Sequence, residues 1–320
     1  MKVSGFTFVR NADKLFIPVK ESILSVLPLC DEFVIALGNN DEDDRTEEFI
    51  HSIGSDKIKI VRTIWDSSKY LKNTEYARQT DIAKEHCTGD WLFYIQSDEA
   101  VHEKDHAEIQ SALEKYVDDE TVDGFVFNYN HFWGDFNHVH RSHGWYRQEM
   151  RIIRNRPDIH SYKDAQSFRI YDSFREGDYR EYLRTEGTHK LNAVALNADI
   201  YHYGYARPPY IMAGKRKQTH VTFRGTDESV KEAEAMKPDY DYGPLDRIPV
   251  FKGTHPAVMK DWIARFDWAD QLQYSGKPDP ERKPHKHEKL KYRMISWVEN
   301  NLRGGKAMFA FRNFEIINPK

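Results

Sequence analysis

The chain has 320 residues, 39% of them hydrophobic and 31% charged, the composition of a globular protein rather than a disordered one. A formal net charge of −4 removes the global basic field of a duplex-binding protein, so no nucleic-acid partner is expected. No apolar run approaches the ~20 residues of a membrane span.

The first residues, MKVSGFTFVRN, lack the apolar stretch and small-residue cleavage site of a secretory signal. Cys30 and Cys87 stand far apart without metal-like spacing. Two reduced, half-buried thiols in a cytoplasmic protein are the expectation.

Residues 2–9, KVSGFTFV, read as a first strand, broken by Arg10-Asn11-Ala12-Asp13. Pro18 opens a helix whose Val19, Ile23 and Leu27 recur at helical spacing. EFVIAL (32–37) is a short apolar run, hence a buried strand, ended by Gly38-Asn39-Asn40. Asp44 followed by Glu47 has the spacing of a capping box, for a helix reaching Ile53. KIKIVR (57–62) is a third strand. Residues 74–87 form a helix with Tyr76, Thr80, Ala83 and Cys87 on one face. Residues 91–95, WLFYI, are a fourth strand that stops at Gln96-Ser97-Asp98-Glu99. A further helix carries Ile109, Ala112, Leu113 and Tyr116, and DGFVFNY (123–129) and EMRIIR (149–154) are strands.

Strands alternating with helices predict an α/β fold with a mostly parallel sheet flanked by helices. Ligands in such sheets bind outside the carboxyl ends of the strands. Three polar loops lie there: 10–13, 38–44 and 96–99. Past residue 205 the pattern changes. Arg207-Pro208-Pro209 breaks the chain and a basic helix begins around Tyr210. Residues 225–250 read as a polar surface excursion. Thr254 would cap a helix carrying Val258, Trp262 and Phe266. Residues 277–288 read as a linker, 289–303 as a last helix, and MFAFRNFEII (308–317) as a closing strand.

The adjacent carboxylates Asp98 and Glu99 have a bland reading, a helix cap or a solvated loop. Their functional reading is metal binding. Carboxylates at a sheet edge hold Mg²⁺ or Mn²⁺ and leave positions open for phosphate oxygens. The ion then takes up charge developing on a departing diphosphate.

FTFVRN (6–11), EFVIALGNNDEDDRTEEFI (32–50), EYARQTDIAKEHCTGDWLFYIQSDE (75–99) and IYHYG (200–204) follow one another in an order and spacing that resembles inverting glycosyltransferase family 2. The resemblance covers residues 2–204 and implies the GT-A nucleotide-sugar fold, a Rossmann-like sheet with a mainly helical C-terminal extension. It divides the chain into a catalytic domain, 1–205, and an extension, 206–320, packed on it. It implies transfer of a sugar from a nucleotide-sugar donor to a hydroxyl acceptor, with a glycan or lipid-linked sugar as acceptor and Mn²⁺ or Mg²⁺ as cofactor.

The family's Asp-X-Asp metal motif falls on Gln96-Ser97-Asp98, so Asp98 is the implied metal ligand, with His202 as a late histidine beside it. Gln96 replaces the first Asp, and Glu99 is a possible substitute. The acidic pair that reads the base is Ala36-Leu37 here, which leaves Asn39, Asn40 or Asp41 for that task. Arg10, Asn11, Asn39, Arg78, Gln96 and Ser97 are implied donor-lining residues. One of Lys215, Arg216 and Lys217 is expected to meet the diphosphate, and Lys217 is the choice among them.

An inverting transfer needs a general base. Asp164 is the first choice, ahead of Glu149 and Glu186. Trp133, Trp145 and Tyr146 are candidates for stacking on an acceptor sugar. His131, His138, His140 and His143 lie among them, but no pair has carboxylate support at a zinc-motif spacing. The basic stretch 282–293 suggests peripheral contact with the inner face of a membrane. Two rival functions remain. One is a non-catalytic nucleotide- or glycan-binding relative. The other is a nucleotidyltransferase, for which VRNADK lacks the glycine-rich loop.

Overall fold

The computed structural model describes residues 1–308 and 312–319. In chain order its elements are β1 (Val3–Val9), α1 (Val19–Val26), β2 (Glu32–Leu37), α2 (Thr46–His51), β3 (Ile58–Arg62), α3 (Thr74–Glu85), β4 (Trp91–Tyr94), β5 (Glu99–Val101), α4 (His106–Lys115), β6 (Gly124–Trp133) and β7 (Val139–His140). There follow β8 (Gln148–Arg154), β9 (Ile159–Tyr162), β10 (Ser167–Tyr171), β11 (Thr188–His189), β12 (Leu191–Tyr205), α5 (Pro209–Arg224), α6 (Asp227–Glu234), α7 (Lys260–Ile263), α8 (Leu290–Leu302) and β13 (Phe314–Ile316).

The central sheet has ten strands and runs β13-β12-β6-β8-β4-β1-β2-β3, with β5 on β12 and β7 on β6. β3, β2, β1 and β4 are parallel, as are β6, β12 and β13, while β8 runs antiparallel between β4 and β6. The expected α/β, mostly parallel sheet is therefore present. Its central strands β1, β2 and β4 are buried along nearly their whole length because both faces are covered. α1, α2 and α4 cover one face through Val19, Ile23, Ile50, Ile109 and Leu113. α3 and the small sheet β9–β10–β11 cover the other through Ala83, Ile159 and Phe168. Both thiols are free and buried, more so than expected.

Other local expectations are revised. Asp44 does accept from the Thr46 N–H at 2.9 Å, but Glu47 turns outward to Arg62 and His51 instead of back to the chain. The helix after Thr254 is only α7, preceded by a 3₁₀ turn. Thr254 pairs with His102 at 2.9 Å instead of capping it. Among the described residues the closing strand comprises Phe314–Ile316, and residues 309–311 lie outside the described residues.

The segment after 205 is built into the first part. Met212, Tyr242, Leu245 and Ile248 share a core with Trp133, and β13 pairs with β12.

Candidate active site

At the carboxyl ends of β1 and β4 the sheet opens into a cavity of about 320 Å³. β1 delivers Arg10 and Asn11, and the loop after β4 delivers Gln96, Ser97 and Asp98. β12 delivers His202, α5 delivers Lys215, and the β9–β10 loop delivers Asp164. Two loops on the β1 side are zipped together. The Asn11 N–H donates to Asn40 Oδ1 and the Asp41 N–H donates to Asn11 Oδ1, each at 2.8 Å.

The two acids after β4 part company. Glu99 is fully buried and clamped by Arg151 through two 2.8 Å contacts, with the Tyr129 hydroxyl donating to it at 2.8 Å. It is a core ion pair and is not available to a metal, contrary to the expectation. Asp98 faces the cavity, its backbone carbonyl held by the Tyr203 N–H at 2.8 Å. Its Oδ2 lies 3.3 Å from Arg207 Nη2 and 3.4 Å from Lys215 Nζ. Burial pushes the Asp98 carboxyl up, but the charges of Lys215 and Arg207 outweigh it and hold Asp98 well below the usual carboxylate range. Burial and the adjacent Arg207, against the pull of Asp98, bring Lys215 down to about 8.

Asp98 Oδ1 faces His202 Nε2 at 3.8 Å. The hydrogen-bond network assigns the tautomers. His131 Nε2 reaches the Tyr146 carbonyl at 2.8 Å and must donate, since a carbonyl only accepts. Burial holds His131 neutral, so its Nδ1 accepts from His202 Nδ1 at 2.9 Å. His202, also pushed down by burial, therefore turns an unprotonated Nε2 toward Asp98. Two acceptors face each other with no proton between them.

Gly204 keeps the space open. A Cβ there would crowd His202 Nε2 and lie 2.7 Å from Asp98 Oδ2. A carboxylate oxygen and a neutral imidazole nitrogen are donors that suit Mn²⁺, and less selectively Mg²⁺. The two residues fit such an ion as a partial shell. Among the described residues no group of three or more His, Cys, Asp or Glu is placed to complete it. Phosphate oxygens or water would fill the remaining positions.

Gln96, in place of the family's first Asp, donates from Nε2 to the Ala165 carbonyl at 3.1 Å. It joins the Asp98 loop to the loop of Asp164. Asp164 is flanked by Lys163 and Ala165, both left-handed with φ of 60° and 61°. Its side chain is exposed at the cavity, and partial desolvation among the cavity walls pushes its carboxyl up.

Several expected residues stand elsewhere. Asn39 is exposed and stands outside the cavity lining. Its Oδ1 accepts from the Trp65 N–H and its carbonyl accepts from Arg10 Nε, both at 3.0 Å. Arg78 turns away to Glu75 at 2.8 Å and lies over the Tyr70 ring. Lys217 is half-buried on α5 outside the cavity lining, and Lys215, two residues earlier, occupies the position. Glu149 is buried and accepts from Ser167 at 2.8 Å, and Glu186 is exposed in a loop. Of the aromatic candidates only Tyr146 lines the cavity. Trp133 is a core residue whose Nε1 donates to the Tyr242 carbonyl at 3.0 Å. His138 pairs with Asp135 and His143 with Glu299, so the four histidines do not converge.

Three features escaped the sequence reading: Arg207, Gly204 and an aromatic wall. The wall is Phe8, Tyr76 and Trp65, with Phe8 and Tyr76 stacked at 5.7 Å and Trp65 edge-on to Tyr76 at 5.5 Å. IYHYG was the signal for Gly204. Trp65 follows β3 in a loop and carries no pattern.

No family model matches the chain, and no curated protein does. Solved structures show weak similarity. S. aureus TarS aligns over 73% of this chain at 13% identity and a TM-score of 0.39, and the match spans 42% of that chain. TarS 1–349 in complex with UDP-GlcNAc aligns over 73% of this chain and 70% of its own, at 13% identity and a TM-score of 0.36. Glucosyl-3-phosphoglycerate synthase from Mycobacterium tuberculosis, in complex with Mn²⁺, UDP and phosphoglyceric acid, aligns over 40% of this chain and 43% of its own, at 16% identity and a TM-score of 0.28. Similarities of this size leave the function of the chain to be read from its own site.

Proposed function

We propose that the chain is a GT-A-type glycosyltransferase that moves a sugar from a nucleoside-diphosphate sugar to a hydroxyl acceptor, with inversion. The observation that carries this reading is the pair Asp98 Oδ1 and His202 Nε2, facing each other across 3.8 Å beside Lys215 and Arg207. A cation-binding pair flanked by fixed positive charge suits a diphosphate.

Asp98 and His202 would hold Mn²⁺ or Mg²⁺, which when bound supplies neutralisation of the leaving diphosphate. Arg207 and Lys215 keep Asp98 ionised, and Lys215 has rotatable donors within reach of phosphate oxygens. Trp65 and Tyr76 offer π-faces to a base, and Arg10 lies 5.8 Å from the Trp65 ring. Asp164 takes the proton of the acceptor hydroxyl, a role that favours a carboxyl with a raised pKa. Tyr146 provides an acceptor-side surface for a glycan or lipid-linked sugar.

Nucleotide release from UDP-, GDP-, CDP- and dTDP-sugars with Mn²⁺ tests the reading. Release of one nucleoside diphosphate is expected, and Asp164→Asn should cut acceptor-dependent transfer at least ~100-fold while sparing donor binding. A nucleotide that binds while no donor is ever turned over would show a non-catalytic binder instead.

A further inference from the structure

α8 is mounted inside out. A helix on a protein surface normally turns its apolar stripe inward and its polar face to water. Here polar side chains make the inward hydrogen bonds, with Tyr292, Ile295 and Val298 half-buried beside them. The Ser296 hydroxyl accepts from the His143 N–H at 2.8 Å. Glu299 is fully buried against His143 at 2.8 Å and Arg147 at 3.3 Å. Asn300 receives Arg147 Nη2 at 2.9 Å and donates to the Arg141 carbonyl at 3.0 Å.

Three outward residues are large and apolar. Leu290, Met294 and Trp297 are 69%, 63% and 58% exposed. At 100° per residue they form one ridge within an arc of roughly 60°. Leu302 extends the exposed apolar surface at the end of the helix.

The charge around this ridge has one sign. Residues 282–306 hold eight Lys/Arg against two Glu. Both acids, Glu288 and Glu299, are buried and paired. Lys283, Lys286, Lys289, Lys291, Arg293 and Arg303 are all exposed. Lys291 and Arg293 flank the ridge on either side by helical phase.

We propose that this face of α8 docks on an anionic phospholipid bilayer, with Leu290, Met294 and Trp297 entering the headgroup boundary and the basic fringe on the lipid charge. A second copy of the chain would bring like charge against like charge in a two-fold contact. A bilayer surface accepts an apolar ridge and a cationic fringe together. Tryptophan and flanking Lys/Arg are the side chains that settle at such an interface. This inference is independent of the donor site, since none of its residues lines the cavity.

The test is co-sedimentation of the full chain with vesicles of phosphatidylcholine alone and of phosphatidylcholine with about one-third phosphatidylglycerol. Binding is expected only with the anionic vesicles, falling at least ~10-fold between ~0.1 and ~0.5 M salt. The double variants Met294→Ser/Trp297→Ser and Lys291→Glu/Arg293→Glu should each lose at least ~10-fold in binding while melting like the parent chain. Absence of binding to anionic vesicles, or equal binding by both variants, overturns the proposal. So does a dimer in light scattering that Met294→Ser/Trp297→Ser dissolves, which would assign the face to a second copy.

Discussion

Gln96 Nε2 donates to the Ala165 carbonyl at 3.1 Å, and through that bond the loop of Asp98 holds the loop of Asp164. The residue that departs from the metal motif is therefore a strut between the two halves of the cavity. Gln96→Ala removes a neutral hydrogen bond of about 1 kcal/mol, equivalent to ~5-fold in rate if it acts on the placement of the base. Steady-state kinetics should show that loss in kcat, with the donor KM little changed. A change confined to the donor KM would place Gln96 on the donor instead.

Glu99 and Asp98 are neighbours with opposite expected phenotypes. Glu99→Gln leaves the fully buried Arg151 without its charge partner, at a cost of about 3–5 kcal/mol. Chemical denaturation should show that loss. Asp98→Asn should change stability less, because Asp98 lines the cavity and meets Arg207 and Lys215 only at 3.3 and 3.4 Å, against the two 2.8 Å contacts that join Glu99 to Arg151. Equal destabilisation by the two changes would contradict this division.

How much of this was legible in the sequence follows from how local each signal is. WLFYI announces a buried strand, and a sheet of alternating elements places its end at the ligand edge. Which of the two following acids points outward depends on Arg151 and Arg207, 52 and 109 residues away from their partners, and no local pattern carries that. Lys215 and Lys217 differ by 200° of helical phase, so naming the right one requires knowing how α5 is mounted. Arg78 and Asn39 were assigned from the resemblance alone, and local partners hold them elsewhere. The basic stretch before α8 was visible, but its inverted face was not, because Glu299 is buried only once His143 and Arg147 arrive.

His131 acts through His202. His131→Phe keeps an aromatic ring, somewhat larger than imidazole, and removes the Nδ1 acceptor that fixes the His202 tautomer. Mn²⁺ affinity should fall ~10- to 100-fold, read by titration of free Mn²⁺ with paramagnetic resonance. Unchanged affinity would remove His131 from the account.

Burial raises the Glu149 carboxyl to about 7 in the folded chain, against 4.5 ordinarily. The folded state then binds more protons than the unfolded state between those values. Stability should fall as pH rises from 4.5 toward 7, by at most on the order of 2–3 kcal/mol. Thermal melts across that range should show the slope, and Glu149→Gln should flatten it. A slope unchanged in the variant would assign it to another group.

The central claim is that Asp98 and His202 form a cation site for a nucleoside diphosphate. Thermal stability with Mn²⁺ and each of UDP, GDP, CDP and dTDP, for the parent chain and Asp98→Asn, tests it most directly, because a ligand of the folded state raises the melting temperature by mass action. The account predicts a rise with one nucleotide that requires Mn²⁺ and disappears in Asp98→Asn. A rise that persists without the metal or in the variant, or no rise with any of the four, would contradict it.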